Sequence, residues 1–99
     1  MPKRKRVKLS DDAPADIESI GDYIATDSPR RARSYVRELR KACAELADMP
    51  ERFAAAGESG LRRRPYGSYS IYYDVTDEHI FVLRVVSAAR DVGDPLSQA

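Results

Sequence analysis

Apolar residues recur every three or four positions in the first third of the chain, which is the spacing of one helix face. Ile17, Ile20 and Ile24 form this stripe, and the acid-rich segment before them suits the positive end of a helix dipole. Gly21 lies on the same side as Ile17 and costs about 1 kcal/mol of helix propensity, so we expect another element to approach closely there. The pattern predicts a helix over residues 13–26.

A second helix start follows the first helix almost without a gap. Ser28 is a preferred N-cap residue, and Pro29 fits the first helical position. The next apolar positions step by four, three, four and three residues: Ala32, Val36, Leu39, Cys43 and Leu46. Pro50 ends this helix near Met49. The link between the two predicted helices is so short that they must form an antiparallel hairpin.

The last third of the chain changes to the period-two alternation of half-buried strands. The predicted strands are residues 6–9, 61–65, 69–75 and 80–87, with a loop at 50–60 and a turn at 66–68. The element order is therefore β-α-α-β-β-β, in which three consecutive strands form an antiparallel meander.

The fold class that follows is a small α+β domain, in which an N-terminal helical hairpin covers one face of an antiparallel sheet. Ninety-nine residues suffice for one domain and not for two. We expect this single domain to span residues 1–99, with residues 1–5 frayed and residues 92–99 forming a C-terminal tail.

Composition narrows the function classes by exclusion. Seventeen Lys and Arg against sixteen Asp and Glu leave a net charge of +1, which argues against a general nucleic-acid coat. No run approaches the ~20 apolar residues that a membrane helix requires. Cys43 and His79 are the only residues of their types, too few for an internal disulfide or a usual metal site, and no glycine-rich phosphate loop is present. We expect a cytoplasmic protein without metal or cofactor.

Three consecutive arginines on a predicted strand are the first candidates for partner binding. Alternation puts Arg62 and Arg64 on one face of the strand and Arg63 on the other. An arginine fork pairs bidentately with phosphate or carboxylate, so Arg62 and Arg64 suit contact with an acidic partner. The alternative is an edge strand that its charges protect from aggregation.

A second pair of arginines belongs to the last strand and the segment after it. Arg84 interrupts an apolar run, where a charge is costly unless it is paired or reaches an open face. Arg90 is in phase with Arg84 if the strand continues. We expect Arg84 and Arg90 to form a cationic surface on the uncovered side of the sheet, together with Arg62 and Arg64. The alternative is an ion pair of Arg84 with Asp74 or Asp91.

One tyrosine of the predicted sheet is a further candidate. Tyr69 and Tyr73 fall on the apolar face of their strand, so we expect them to be half-buried. Tyr72 shares the other face with Ser70 and Asp74, so we expect its side chain to be exposed. A tyrosine beside arginines can stack on a base or act as acid or base in RNA cleavage.

Seven segments together resemble the RelE/ParE superfamily of toxins. They are PADIESI (14–20), YIA (23–25), DSP (27–29), GLR (60–62), YGSYSIYY (66–73), VLRVV (82–86) and ARD (89–91). They occur in the family's order, and the resemblance as a whole spans about residues 9–91, nearly the whole chain. The resemblance implies the fold described above and a toxin of a type II toxin–antitoxin pair, neutralised by a small DNA-binding antitoxin with which it forms a hetero-oligomer.

Two activities occur in this superfamily. ParE-like members poison DNA gyrase, whereas RelE-like members cut mRNA on the ribosome with basic residues on the sheet and commonly a tyrosine in the C-terminal tail. Here the tail has no tyrosine, and the position that is basic in some nuclease members is Ser70. These departures favour a ParE-like gyrase poison without chemistry of its own.

The alternative function is a ribosome-dependent mRNA endonuclease, in which the candidate arginines hold the scissile phosphate and Tyr72 acts as base. A toxin that retains only antitoxin binding is a third hypothesis. For both the gyrase poison and the mRNA endonuclease, the expected contact residues are Arg62, Arg64, Tyr72, Arg84 and Arg90.

Overall fold

The computed structural model describes residues 5–55 and 60–88, which form a four-stranded sheet with a helical hairpin. In chain order the elements are β1 (Arg6–Leu9), α1 (Asp12–Ala25), α2 (Pro29–Ala44), a 3₁₀ turn (Glu45–Ala47), β2 (Arg62–Tyr66), β3 (Tyr69–Val75) and β4 (His79–Ser87). The predicted order β-α-α-β-β-β is confirmed. The second helix ends before the predicted Met49, because the chain tightens into the 3₁₀ turn.

The sheet has the strand order β1-β4-β3-β2. β2, β3 and β4 form the predicted antiparallel meander. β1 pairs in parallel with β4, and its last residue, Leu9, lies opposite Val82. Since β4 runs on to Ser87, its second half extends beyond its β1 partner.

The two helices approach each other at a glycine. A Cβ atom built on Gly21 would lie 2.8 Å from Cγ2 of Val36, so the predicted close approach at this position is confirmed. The start of α2 also follows the prediction, because Ser28 Oγ accepts a hydrogen bond from the backbone N–H of Arg31 at 3.1 Å. Local signals thus indicate the start of α2 and the position on α1 at which another element packs; that this element is α2 is shown by the structure.

The helical hairpin packs on one face of the sheet, which we call the inner face. Ile17 of α1 and Leu39 of α2 belong to the same buried cluster as Ile71, Tyr73 and Val85 of the strands. These five side chains expose 2% of their surface or less. The opposite face of the sheet is the outer face.

A glycine turn sets the register between β2 and β3. Gly67 has a φ of +58°, which glycine adopts without steric cost, and with Ser68 it forms a two-residue connection. Tyr66 therefore lies opposite Tyr69. The hydroxyl of Tyr35 donates to the Tyr66 carbonyl at 3.3 Å, which joins α2 to this turn.

A register shift interrupts the pairing of β3 with β4. Tyr72 lies opposite Arg84, but the next residue, Tyr73, lies opposite Val82, which leaves Leu83 as an extra residue in β4. An extra residue of this kind is a β-bulge. Because of it, Val82 and Val85 both face the core although they are three positions apart.

Candidate partner-binding face

Strand register brings three side chains into one row across the sheet. Arg63 lies opposite Tyr72, and Tyr72 lies opposite Arg84. Residues directly opposite in neighbouring strands share a face. Because Tyr72 alternates with Ile71 and Tyr73, which belong to the core on the inner face, this row lies on the outer face. We call Arg63, Tyr72 and Arg84 the outer row.

Arg84 is held by an acid of α1. Its Nε and Nη2 donate to the two carboxylate oxygens of Asp16 at 2.8 and 3.0 Å. Asp16 also accepts from the backbone N–H of Val85 at 2.9 Å, in the part of β4 beyond β1. The hydrogen bond to Asp16 raises the pKa of Arg84 above its usual value. Arg84 is therefore paired, but with Asp16 and not with Asp74; Asp91 lies outside the described residues.

Arg62 and Arg64 share one face as predicted, but it is the inner face. Their expected place in a cationic surface on the uncovered side of the sheet is wrong. Arg62 Nη1 donates to the carbonyl of Phe53 at 2.6 Å. Arg64 Nη1 donates to the carbonyl of Ala42 at 2.7 Å and to a carboxylate oxygen of Glu45 at 3.1 Å. Both guanidinium groups thus attach the end of α2 and the following loop to β2.

Tyr72 is on the predicted face but not at the surface. Its exposed fraction is 0%, and that of Ser70 on the same face is 1%, so the expected exposure of Tyr72 is wrong. Alternation assigns a residue to a face and carries no information on whether that face is covered. Tyr69 and Tyr73 lie on the inner face as predicted, and Tyr69 is half-buried, but Tyr73 is fully buried. The Tyr73 hydroxyl donates to the carbonyl of Pro50 at 2.9 Å.

Among the described residues, Cys43 and His79 have no part in the outer row. Arg90 lies outside the described residues, and its role stays a prediction. Cys43 is buried in the core, and burial raises the pKa of its thiol to about 11. His79 opens β4, and its backbone N–H donates to Oγ1 of Thr76 at 3.0 Å.

Within residues 5–55 and 60–88, no group of His, Cys, Asp and Glu side chains could hold a metal ion. Over the same part of the chain, no helix has the length and apolar character needed to cross a membrane.

Arg63 is the member of the outer row that was not among the predicted contact residues. The signal was present in the hairpin, because a two-residue connection at Gly67 pairs Tyr66 with Tyr69. Counting back from that pair puts Arg63, and not its neighbours, opposite Tyr72. The expected turn at 66–68 did not specify this register, so the face of the strand that carries Arg63 was not recognised as the candidate surface.

The chemistry of the outer row favours binding of anionic groups. Arg63 is exposed, and the side chain of Arg84 is 43% exposed in spite of its ion pair. Arginine donates up to five hydrogen bonds and cannot accept a proton at ordinary pH. Tyr72, which lies between the two arginines in the strand register, is buried. The row therefore presents cations without an accessible acid–base pair.

Residues 7–92 match the model of the family described as "ParE toxin of type II toxin-antitoxin system, parDE". The match covers nearly the whole chain, and the chain belongs to this family. The resemblance to the RelE/ParE superfamily, with its ParE-like branch, is confirmed.

The chain is also similar to two described proteins. Toxin RelE2 of Caulobacter vibrioides is 35% identical over 76 residues, which cover 77% of this chain and 86% of that protein. A solved structure described as "Chromosomal ParDE TA system from P. aeruginosa" superimposes with a TM-score of 0.75 and 21% identity, over 85% of this chain and 96% of the other. At that identity the second likeness shows the fold alone, and it confirms the predicted α+β architecture.

Proposed function

We propose that this toxin inhibits DNA gyrase by binding and has no chemistry of its own. The observation that carries the proposal is the composition of the outer row, in which Arg63 and Arg84 flank a buried tyrosine. RNA cleavage needs a group that takes up a proton as well as charge stabilisation. Arginine does not accept a proton, and Tyr72 at 0% exposure is out of reach of a substrate. Binding to an anionic surface needs only the cations.

A cognate antitoxin is the second proposed partner. The family consists of toxins of toxin–antitoxin pairs, and the similar solved structure is described as a ParDE system. We assign the contact with an acidic antitoxin segment to Arg63 and Arg84, because cations on a sheet face attract such a segment. Arg62 and Arg64, which were expected among the contact residues, instead bond to the loop and the helix end on the inner side of the sheet. Arg90 stays a predicted contact.

Ionic strength tests the antitoxin contact. We expect the association rate of toxin and antitoxin to fall steeply between low and high salt, since steering by exposed charges is screened. Arg63→Gln should slow association at low salt, whereas Arg52→Gln, an exposed arginine in the loop after α2, should leave it unchanged. Rates that are flat across the salt range, or equal effects of both substitutions, contradict the assignment.

A supercoiling assay tests the gyrase proposal. Toxin separated from its antitoxin is added to gyrase, relaxed plasmid and ATP. We expect supercoiling to fall with toxin concentration, cleaved DNA–gyrase complexes to accumulate, and added antitoxin to restore activity. Arg63→Gln should weaken inhibition while Arg52→Gln retains it. Full supercoiling in the presence of a toxin preparation that arrests growth when induced in cells refutes the proposal.

A ribosome-dependent mRNA endonuclease is the second candidate function. The observation that favours it is the name of the 35% identical relative, Toxin RelE2. Mapping of mRNA 5′ ends after brief induction distinguishes the two candidates, because cuts in phase with codons support the nuclease and their absence removes it. Normal growth after induction without the antitoxin would instead support the third hypothesis, a toxin that only binds its antitoxin.

A further inference from the structure

The solvent side of α2 carries cations that the outer row does not use. They are Arg30, Arg33, Arg37, Arg40 and Lys41, which we call the α2 stripe. All five are exposed, and none has an ion-pair partner among the described residues. The ion pair that α2 forms internally joins Arg31 to Glu38 at 3.0 Å and leaves the stripe uncompensated.

The stripe occupies one side of the helix. Residues three and four apart are neighbours on a helix surface, and positions 30, 33, 37 and 40 follow that spacing. The buried positions of α2, such as Leu39 and Cys43, lie on the opposite side. At about 1.5 Å per residue, the stripe extends roughly 16 Å along the helix axis.

This arrangement lowers the stability of the helix that carries it. Like charges at these spacings repel one another. Arg30 lies in the first turn, where a cation is also unfavourable beside the positive end of the helix dipole, and that turn contains no acid. A polyanionic partner would relieve both effects.

We propose that the α2 stripe binds the phosphate backbone of a nucleic acid. Four of its five residues are arginines, whose planar fork pairs bidentately with phosphate. A rigid helix holds these groups in a line, which matches a polymer of regularly spaced negative charges. The contact is sequence-independent, because phosphates carry no base information. The net charge of +1 does not oppose it, since the acids that balance the stripe lie elsewhere in the chain.

An acidic protein segment fits the stripe less well than a nucleic acid does. Protein interfaces depend on apolar or aromatic anchors that become buried at their centre. Among the described residues, the exposed large apolar side chains are Leu9 and Tyr23, and neither belongs to α2. Phosphate contacts need no such anchor, because counterion release provides the binding free energy.

Fluorescence anisotropy with the full-length toxin tests the proposal. The probes are a labelled 20-base-pair DNA duplex of arbitrary sequence and an RNA duplex of the same length, titrated between 50 and 200 mM NaCl. Five phosphate contacts predict a slope of about −4.5 for log K against log salt with DNA, or a roughly 500-fold loss of affinity over this range. The two probes distinguish DNA from RNA as the source of the phosphates.

A matched pair of triple variants localises the effect. Arg33→Gln/Arg37→Gln/Arg40→Gln should reduce the slope to about −1.8, since two of five contacts remain. Lys5→Gln/Arg6→Gln/Lys8→Gln removes the same charge around β1 and should leave the slope unchanged. Glutamine has nearly the helix propensity of arginine, so circular dichroism should show no loss of thermal stability in the α2 variant.

Three outcomes would overturn the proposal. The first is no binding of either duplex at 50 mM NaCl. The second is an equal reduction of the slope in both triple variants, which would assign the attraction to total charge and not to α2. The third is competition by poly-glutamate as effective as that by unlabelled duplex, which would make an acidic protein segment the partner. None of these outcomes depends on whether the toxin inhibits gyrase.

Discussion

The carboxylate of Asp16 connects α1 to β4, and its removal is the perturbation whose effect follows most directly from the structure. It accepts two hydrogen bonds from Arg84 and one from the backbone N–H of Val85. Asp16→Ala removes all three bonds at once. The guanidinium loses its partner, and the Val85 N–H loses its acceptor beyond the end of β1.

The two losses differ in size because the groups differ in exposure. The side chain of Arg84 is 43% exposed, whereas Val85 exposes only 2% of its surface. Water can therefore solvate the released guanidinium, and we take the ion pair as contributing about 1 kcal/mol. The loss of the acceptor for Val85 costs about 1–2 kcal/mol more. The free energy of unfolding should fall by roughly 2–3 kcal/mol in total, which lowers Tm by roughly 10–20 °C in a domain of this size.

Urea and thermal unfolding followed by circular dichroism measure this change. Asp22→Ala is the control, because Asp22 is an exposed acid of the same helix and should change the stability by less than about 0.5 kcal/mol. Asp16→Asn keeps an oxygen that can accept from the Val85 N–H and loses the charge, so its effect should be intermediate.

The reasoning is refuted if Asp16→Ala and Asp22→Ala destabilise the protein equally. A double-mutant cycle of Asp16→Ala with Arg84→Gln separates the two contributions, and we expect a coupling energy of about 1 kcal/mol. A coupling near zero, together with a large effect of Asp16→Ala, would assign the stabilisation to the Val85 N–H alone.

Two further predictions concern buried positions. Gly21→Ala should destabilise the protein although alanine favours helix, because its methyl group would lie 2.8 Å from Cγ2 of Val36. In a Val36→Ala background the same substitution should stabilise the protein by up to about 1 kcal/mol. Stabilisation in both backgrounds, measured by urea unfolding, would disprove the clash. Burial raises the pKa of Cys43 from 9.0 to about 11, so the folded thiol should react slowly with a thiol reagent at pH 8, and equal labelling rates with and without urea would contradict this. The unfolded thiol ionises first, so stability should fall as pH rises from 9 to 11, by less in Cys43→Ala.

The elements of the fold could be predicted closely because their signals are local. The Ser28-Pro29 start of α2 is a cap whose hydrogen bond forms within four residues. The strand over residues 69–75 follows from alternation alone and agrees with Tyr69–Val75. The predicted end of α2 was wrong because the apolar stripe continues to Leu46 through the 3₁₀ turn, in which the residue is still buried.

The candidate site was predicted less well, because it depends on contacts between distant parts of the chain. Pairing of Arg84 with Asp16 joins residues 68 positions apart, and no local pattern indicates it. Arg62 and Arg64 were expected on the surface that in fact carries Arg63, since a strand's alternation leaves open which face packs on the helices. The predicted face of Tyr72 was correct, but its predicted exposure was wrong, because alternation does not show whether a face is covered.

The sequence by itself determined the element order, the helical hairpin and the ParE family, since caps, periodicity and family segments are properties of neighbouring residues. Only the tertiary structure decided which arginines face outward. The two-residue turn at Gly67 sets the β2–β3 register, and the extra residue at Leu83 sets that of β3–β4. Because side chains alternate along a strand, a shift of one residue in either register exchanges the outward and inward sets.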